Sequence, residues 1–480
     1  MAVERIGSII KHLAPGSALS NVYVSCSYIP SYPLLPPPLQ VTTVDPCCDL
    51  NSQAQKDDDV VITLAIRTPL TKAGKGGFKD TSLEFIIYSL LKEVKTRSGI
   101  DPALVEDIVM GNVTIISFHP SLPPLFFLSN FCLSNFRNLP FLLINNQVSD
   151  DKATYKLRAA ALAAGFPNSQ SCCTINRLCA SGLSATVDLA RAIACDSIQV
   201  GIACGAESMT HGGDRGTKML DEAVLSLSSE AVDSTQPMGW TSENVSRDFG
   251  VGRLAMDKYA LESFSRAEKA QKDGLFADEI VPIATRIKGP DGGWKEVTLE
   301  RDEGVRAGTT LQALSGIRPA FPQWGDCTTG GNASQVTDGA AALLLMKRST
   351  ARKLNQPILA KYVGSTTAGL PPRIMGIGPT YAIPKLLSQH NLSLNDMDVV
   401  EINEAFSSMA VYCRDALGLD WEKMNPRGGA VALGHPLGAT GVRLIVTGLS
   451  ELRRRRGKML MVSMCVGTGM GAAGIFVNEA

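Results

Sequence analysis

At 480 residues and 45% hydrophobic content, the chain is long enough for two or three domains around a large buried core. Lysines plus arginines and aspartates plus glutamates balance at 46 each, which removes the electrostatic argument for nucleic acid or an anionic membrane as the main partner. The twelve cysteines are scattered with no C-x-x-C, so neither a disulfide framework nor a structural zinc site is indicated and a reducing compartment fits better.

The chain opens with Arg5 and Ile6, then five residues, then His12 and Leu13. On a helix this seven-residue offset returns each pair to nearly the same face. The pattern is similar to an N-terminal type 2 peroxisomal targeting signal. A bland amphipathic start and a mitochondrial presequence compete with it, but the segment is short of arginine and carries Glu4. Asn21 to Lys56 is rich in Ser and Pro, with Pro36 to Pro38 consecutive, and has no sustained period. Residues 1–57 are therefore read as targeting segment and linker.

An apolar strand follows in E-D-I-V-M-G-N-V, Glu106 to Val113. From Thr114 to Asp150 the sequence turns Phe- and Leu-rich, nearly uncharged and interrupted by prolines. No amphipathic arrangement places it on a core. Pro123, Pro124, Arg137 and Pro140 also break Leu122 to Ile144 as a membrane span of about 20 apolar residues.

Beyond residue 57 the chain repeats itself in outline. The strand ending at Asn112 has a counterpart in M-D-V-V-E-I-N-E-A, Met397 to Ala405. Next come I-N-R-L-C-A-S-G (Ile175 to Gly182) and N-P-R-G-G-A-V-A-L-G-H-P-L-G-A-T-G (Asn425 to Gly441), each opening a helix with small residues. Each helix leads to an apolar strand near a Cys and a Gly, in I-Q-V-G-I-A-C-G (Ile198 to Gly205) and K-M-L-M-V-S-M-C-V-G (Lys458 to Gly467). Alternating strands and helices argue for an α/β fold, and two copies for two similar subdomains packed face to face, against one irregular sheet. The expected domains are 58–345 and 346–480, with 114–150 an atypical insertion and 207–322 a polar, helical excursion. The Arg453 to Arg456 run reads as a solvated helix C-terminus before Gly457.

Three elements carry reactive side chains. Cys179 directly precedes Ala180, Ser181 and Gly182, at a helix N-terminus whose free N–H groups and partial positive charge stabilise a thiolate; the competing reading is a buried inert thiol. His435 lies among glycines where backbone can approach a ligand closely, and Pro436 restricts it to extended conformations. Of the other histidines, His12 falls in the signal and His119 in the insertion; His390 reads as surface and His211 as part of a Gly-rich turn. Cys465 ends a strand before alternating glycines whose N–H groups suit an oxyanion hole. Asn403 to Phe406, N-E-A-F, is a weaker signal at another strand end.

Together N-R-L-C-A-S-G, G-N-A-S-Q-V-T-D-G-A-A (Gly331 to Ala341), N-E-A-F, G-G-A-V-A-L-G-H-P-L-G-A-T-G and C-V-G-T-G-M-G resemble the thiolase family, from about Val60 to the C-terminus apart from the insertion. Within it the flavour is that of the fungal peroxisomal members, from N-P-R-G-G-A and P-R-I-M-G-I-G-P, Pro372 to Pro379. The resemblance implies a thiolase fold: two duplicated α/β subdomains in a five-layered α-β-α-β-α arrangement with an inserted loop domain. It implies an acyltransferase that cleaves 3-ketoacyl-CoA with CoA to acetyl-CoA and a shortened acyl-CoA in peroxisomal β-oxidation. Cys179 would be the nucleophile, with His435 and Cys465 its acid/base partners. One oxyanion would be held by His435 and a water on Asn403, the other by the N–H groups of Cys179 and Gly467. CoA would lie across the excursion and Ser334, for which a helix cap in G-N-A-S is the alternative. CoA is a substrate, so no cofactor and no metal is expected; the implied partners are a second copy of the chain and a peroxisomal import receptor. Leu178 and Ala180 stand where many members have Gln and Ser. Rivals are a biosynthetic acetoacetyl-CoA thiolase, a Cys-His-His condensing enzyme and a thiolase-like lipid carrier.

Overall fold

The computed structural model describes residues 55–113, 151–212 and 220–480. The Arg5, Ile6, His12 and Leu13 pattern, nearly all of the linker, and residues 114–150 with His119 lie outside the described residues.

Strand β1, Val60–Arg67, is the run V-V-I-T-L-A-I-R, almost wholly buried. Successive side chains of a strand point to opposite faces. Accordingly Val61 and Ile66 enter one core while Val60, Ile62 and Ala65 enter another. The change of parity between Ile62 and Ala65 is explained by a register shift at Ile62/Leu64, where one extra residue turns the following side chains over.

The other sheet strands divide their side chains in the same way. They are β2 (Thr71–Lys72), β3 (Asp107–Gly111), β4 (Ser171–Ile175), β5 (Val200–Ser208), β8 (Thr337–Lys347), β9 (Ala360–Gly369), β10 (Val399–Ile402), β11 (Met459–Val466) and β12 (Met470–Asn478). Their spatial order is β4-β3-β5-β8-β1-β9-β12-β11-β10, with β2 paired to β8. This order is a near-palindrome. On one side β3 runs parallel to β5, which runs antiparallel to β8; on the other β10 runs parallel to β11, which runs antiparallel to β12. The partner of β4 in the second copy has shrunk to one parallel bridge, Val400 with Met424. The two halves join where β1 pairs β9 through Val61–Lys361 and Ile62–Ala360. The repeat legible in the sequence is thus a repeat of topology.

Helices complete five layers. Helices α1 (Leu83–Ser98) and α2 (Asp151–Ala163) cover the outer face of the first half through Ile86, Leu90, Leu91, Leu157 and Ala161. Helix α3 (Ser181–Ala194) and helix α8 (Leu437–Arg455) fill the middle, Leu183, Leu189 and Ile193 meeting Val442, Ile445 and Leu449 between strands of both halves. Helices α6 (Pro379–Gln389) and α7 (Ser407–Leu417) close the outer face of the second half. Every residue of α8 from Leu437 to Leu452 is buried, as a central helix requires. It ends on Arg456 in the left-handed region, φ 55°, one residue before the expected Gly457, and Arg454 and Arg455 fold back onto Glu451.

The excursion between β5 and β8 carries helices α4 (Met238–Phe249) and α5 (Arg253–Lys272). It also contains a hairpin of β6 (Ile283–Lys288) and β7 (Trp294–Leu299) that helical periodicity did not announce. A buried ion-pair cluster ties it to β1: Arg67 reaches Glu279 and Asp302, each at 2.7 Å. No helix of the described residues is long and apolar enough to cross a membrane.

Candidate active site

The chain leaves β4 and makes a tight turn before α3. Ser181 directs it: its hydroxyl accepts the Arg177 N–H at 2.9 Å and donates to the Leu178 carbonyl at 2.6 Å. Asn176 Oδ1 accepts the Leu178 N–H at 2.9 Å. Between these clamps Leu178 takes φ 47°, a left-handed conformation that is uncommon for a branched residue and held by its surroundings. Cys179 follows, 9% exposed, two residues ahead of the first turn of α3 and its partial positive charge.

His435 stands in the same relation to α8. It is 6% exposed and its backbone N–H donates to Gln335 at 3.0 Å. Nδ1 lies 2.7 Å from Thr440 Oγ1, and Nε2 lies 3.3 Å from Asn403 Nδ2. The two helix starts touch: a Cβ on Gly182 would lie 2.7 Å from the Gly438 carbonyl oxygen. Only backbone can occupy such a gap.

Asn403 follows β10 and is held to β11 by its N–H on the Ser463 carbonyl, 3.0 Å. Its Oδ1 is buried without a hydrogen-bond partner among the described residues, an acceptor that a small donor in the site would satisfy. Next to it, buried Glu404 accepts from Tyr259 at 2.9 Å, Ser263 at 2.7 Å, Asn425 at 2.8 Å and the Val431 N–H at 3.1 Å. It pins the loop leading to His435 to α5. The sequence reading used Asn403 of N-E-A-F and missed Glu404; a carboxylate beside an apolar strand end was the available signal.

Cys465 lies on β11 opposite Gly471 and is fully buried. Burial pushes its thiol well above the ordinary value, and neighbouring Cys179 adds to the effect, so it is protonated at neutral pH. Its Sγ is 3.3 Å from Met409 Sδ, a contact no motif indicated. Gly467, just past the strand, lies under Leu178: a Cβ there would be 2.9 Å from Leu178 Cδ1. Cys179, Cys465 and Gly467 therefore share one locality, with the His435 helix crossing at Gly182.

Two readings need correction. Ser334 caps no helix: it precedes strand β8, and its N–H donates to the Ala405 carbonyl at 3.0 Å, beside the Asn403 loop. His390 is not on the surface. It is half-buried, its imidazole fills the space over Gly364 of β9, and burial lowers its pKa. His211 is exposed, with Nδ1 3.0 Å from Ser208 Oγ.

These features define a duplicated α/β protein in which Cys179 and buried His435 stand ahead of equivalent helices and a second cysteine, Cys465, lies on a buried strand. Two family models match the chain, the thiolase N-terminal domain at residues 143–349 and the thiolase C-terminal domain at 356–478. The peroxisomal 3-ketoacyl-CoA thiolase of Yarrowia lipolytica is 44% identical over 426 residues, 89% of this chain and 94% of that protein. The crystal structure of the dimeric peroxisomal thiolase of Saccharomyces cerevisiae is 40% identical with TM-score 0.74, over 89% of this chain and 99% of that one. The human mitochondrial 3-ketoacyl-CoA thiolase in complex with CoA is 32% identical with TM-score 0.72, over 88% and 98%. The chain belongs to the thiolase family. The N-terminal model begins at residue 143, yet β1, α1 and β3 lie ahead of it and complete the same sheet.

Proposed function

We infer that the chain is a 3-ketoacyl-CoA thiolase, an acetyl-CoA C-acyltransferase that cleaves 3-ketoacyl-CoA with CoA to acetyl-CoA and a shortened acyl-CoA in peroxisomal fatty-acid β-oxidation. The observation that carries this is the 44% identity to a peroxisomal 3-ketoacyl-CoA thiolase across 94% of that protein. It works as a homodimer, as the dimeric yeast relative does, with CoA as substrate.

In the mechanism proposed here, His435 takes the proton of Cys179 and the thiolate attacks the 3-keto carbon. Carbon–carbon cleavage leaves the shortened acyl group on Cys179 as a thioester. Cys465, buried and protonated, gives its proton to the departing acetyl-CoA enolate. CoA then collects the acyl group, giving ping-pong kinetics. His435 and a water on Asn403 would hold one oxyanion and the N–H groups of Cys179 and Gly467 the other, each donor worth about 3 to 4 kcal/mol. Ser334, beside the Asn403 loop, would touch CoA. Arg5, Ile6, His12 and Leu13 would be read by an import receptor.

The test is CoA-dependent cleavage of short and long 3-ketoacyl-CoAs by wild type and Cys179→Ala. Loss of turnover in the variant is expected, and equal rates would sink the nucleophile assignment. Turnover of acetoacetyl-CoA alone would favour a biosynthetic role.

A further inference from the structure

We propose that Thr440 is a positioning residue that holds His435 in the Nδ1–H tautomer and so makes Nε2 the basic nitrogen of the site. The inference rests on the reading above that His435 takes the proton of Cys179. Thr440 is fully buried in the first turn of α8, three residues after Leu437. Its Oγ1 lies 2.7 Å from His435 Nδ1. A threonine in a helix ordinarily turns its hydroxyl to solvent or to the carbonyl four residues back; here it faces the imidazole five residues back.

A hydroxyl can donate or accept, so this contact alone leaves the tautomer open. The other nitrogen decides it. His435 Nε2 lies 3.3 Å from Asn403 Nδ2, an amide nitrogen that only donates, which requires a lone pair on Nε2. The single proton of the neutral ring is then on Nδ1 and is donated to Thr440 Oγ1. Asn403 selects the tautomer and Thr440 accepts its proton, and the two come from different elements, the end of β10 and α8.

The consequence is chemical. The Cys179 S–H bond breaks and an Nε2–H bond forms, leaving a thiolate and an imidazolium. Nδ1–H keeps its bond to Thr440, now charge-assisted and stronger than in the neutral ring. The hydroxyl therefore stabilises the thiolate–imidazolium pair relative to the neutral pair.

Thr440→Val keeps the shape and removes the hydroxyl; Thr440→Ser keeps the hydroxyl. The Val variant is expected to lose kcat roughly 10- to 100-fold with KM for CoA little changed. It should also move the pH midpoint of iodoacetamide alkylation at Cys179, followed by peptide mass spectrometry, to higher pH. The Ser variant should restore both. Should Thr440→Val melt below the assay temperature, Thr440→Ala replaces it. A hydroxyl-free variant with wild-type kcat and midpoint, or a Ser variant as impaired as Val, overturns the proposal. Cys179→Ala keeps the two ideas apart: if it turns over normally the parent reading falls, and if it is dead while Thr440→Val is normal only the tautomer assignment falls.

Discussion

Glu207 Oε2 accepts the backbone N–H of Gly438 at 2.9 Å, so a carboxylate at the end of β5 caps the first turn of α8 in the other half of the molecule. The same oxygen takes the Val113 N–H at 3.0 Å, and Oε1 takes Asn112 Nδ2 at 3.2 Å. The first-turn N–H groups of a helix have no partner within the helix, and here one finds a buried anion favoured by the helix dipole. A Gln at 207 would lose the charge and turn an amide N–H toward Asn112. We expect Glu207→Gln to cost about 1 to 3 kcal/mol, read as a lower urea midpoint, with kcat falling because the His435 loop shares this helix start. An unchanged midpoint would show the contact to be incidental.

The crossing of α3 and α8 gives a second test. Alanine is favoured over glycine within a helix by about 1 kcal/mol, so Gly182→Ala would stabilise an isolated helix. In this fold its Cβ would meet the Gly438 carbonyl oxygen at 2.7 Å and the Val442 nitrogen at 3.0 Å. Backbone cannot rotate aside as a side chain can, and overpacking costs about 1 to 3 kcal/mol. The clash wins: Gly182→Ala should be less stable than wild type in thermal unfolding and should lose activity with it.

The sequence made the duplication legible because each copy carries its candidate site residues at a strand end or helix start, where small residues punctuate the pattern. Cys179, His435 and Cys465 could be named for that reason. Thr440 and Glu404 could not, because their contacts depend on which way one side chain turns. The same holds for His390: nothing in the run before it shows that Gly364 leaves space for an imidazole on a strand elsewhere in the chain. The β6–β7 hairpin was hidden by exposure, since most of its residues face outward and, of the two buried ones, Ile283 and Thr285, only Ile283 is apolar, leaving no hydrophobic alternation strong enough to distinguish it from charged helix.

Glu401 on β10 and Arg443 on α8 are fully buried and 3.4 Å apart. Among the described residues Glu401 Oε1 and Arg443 Nε and Nη2 have no hydrogen-bond partner. Burial pushes the Glu401 carboxyl up to about 8, with the Arg443 charge opposing and not cancelling it. An unfolded glutamate titrates near ~4.3. Between these values the folded state holds the extra proton, so the contribution to stability is complete below the unfolded value and lost as pH rises through the folded one. Wild type should therefore lose stability relative to Glu401→Gln, which cannot titrate, between pH values of about 5 and 9. Parallel urea titrations at both ends measure it; a constant gap would mean that Glu401 is ionised throughout.

The stretch 114–150 bears on whether the fold needs every residue of the chain. Described contacts anchor the chain on either side of it. Asn112 Nδ2 is bound to the Ala206 carbonyl at 2.8 Å, and the Val113 N–H to Glu207. After the stretch, Leu157, Ala160 and Ala161 are buried against α1, and Lys156 pairs with Glu84 at 2.8 Å. Thr154 and Thr174 hydroxyls meet at 2.7 Å, fixing α2 to β4. Loop-closure entropy grows only slowly with length, so shortening this connection should change stability little, provided the new linker spans the gap. We expect a chain joining Val113 to Asp151 through a short Gly/Ser linker to fold, with its thermal midpoint at or above that of the full chain, and to cleave 3-ketoacyl-CoA at a comparable rate. Sequencing the transcript is the companion measurement, since a message running from Val113 directly to the region of Asp150 would show that cells make the shorter form. Failure of the shortened protein to fold, while the full chain folds, would instead assign the stretch a structural role beside α2.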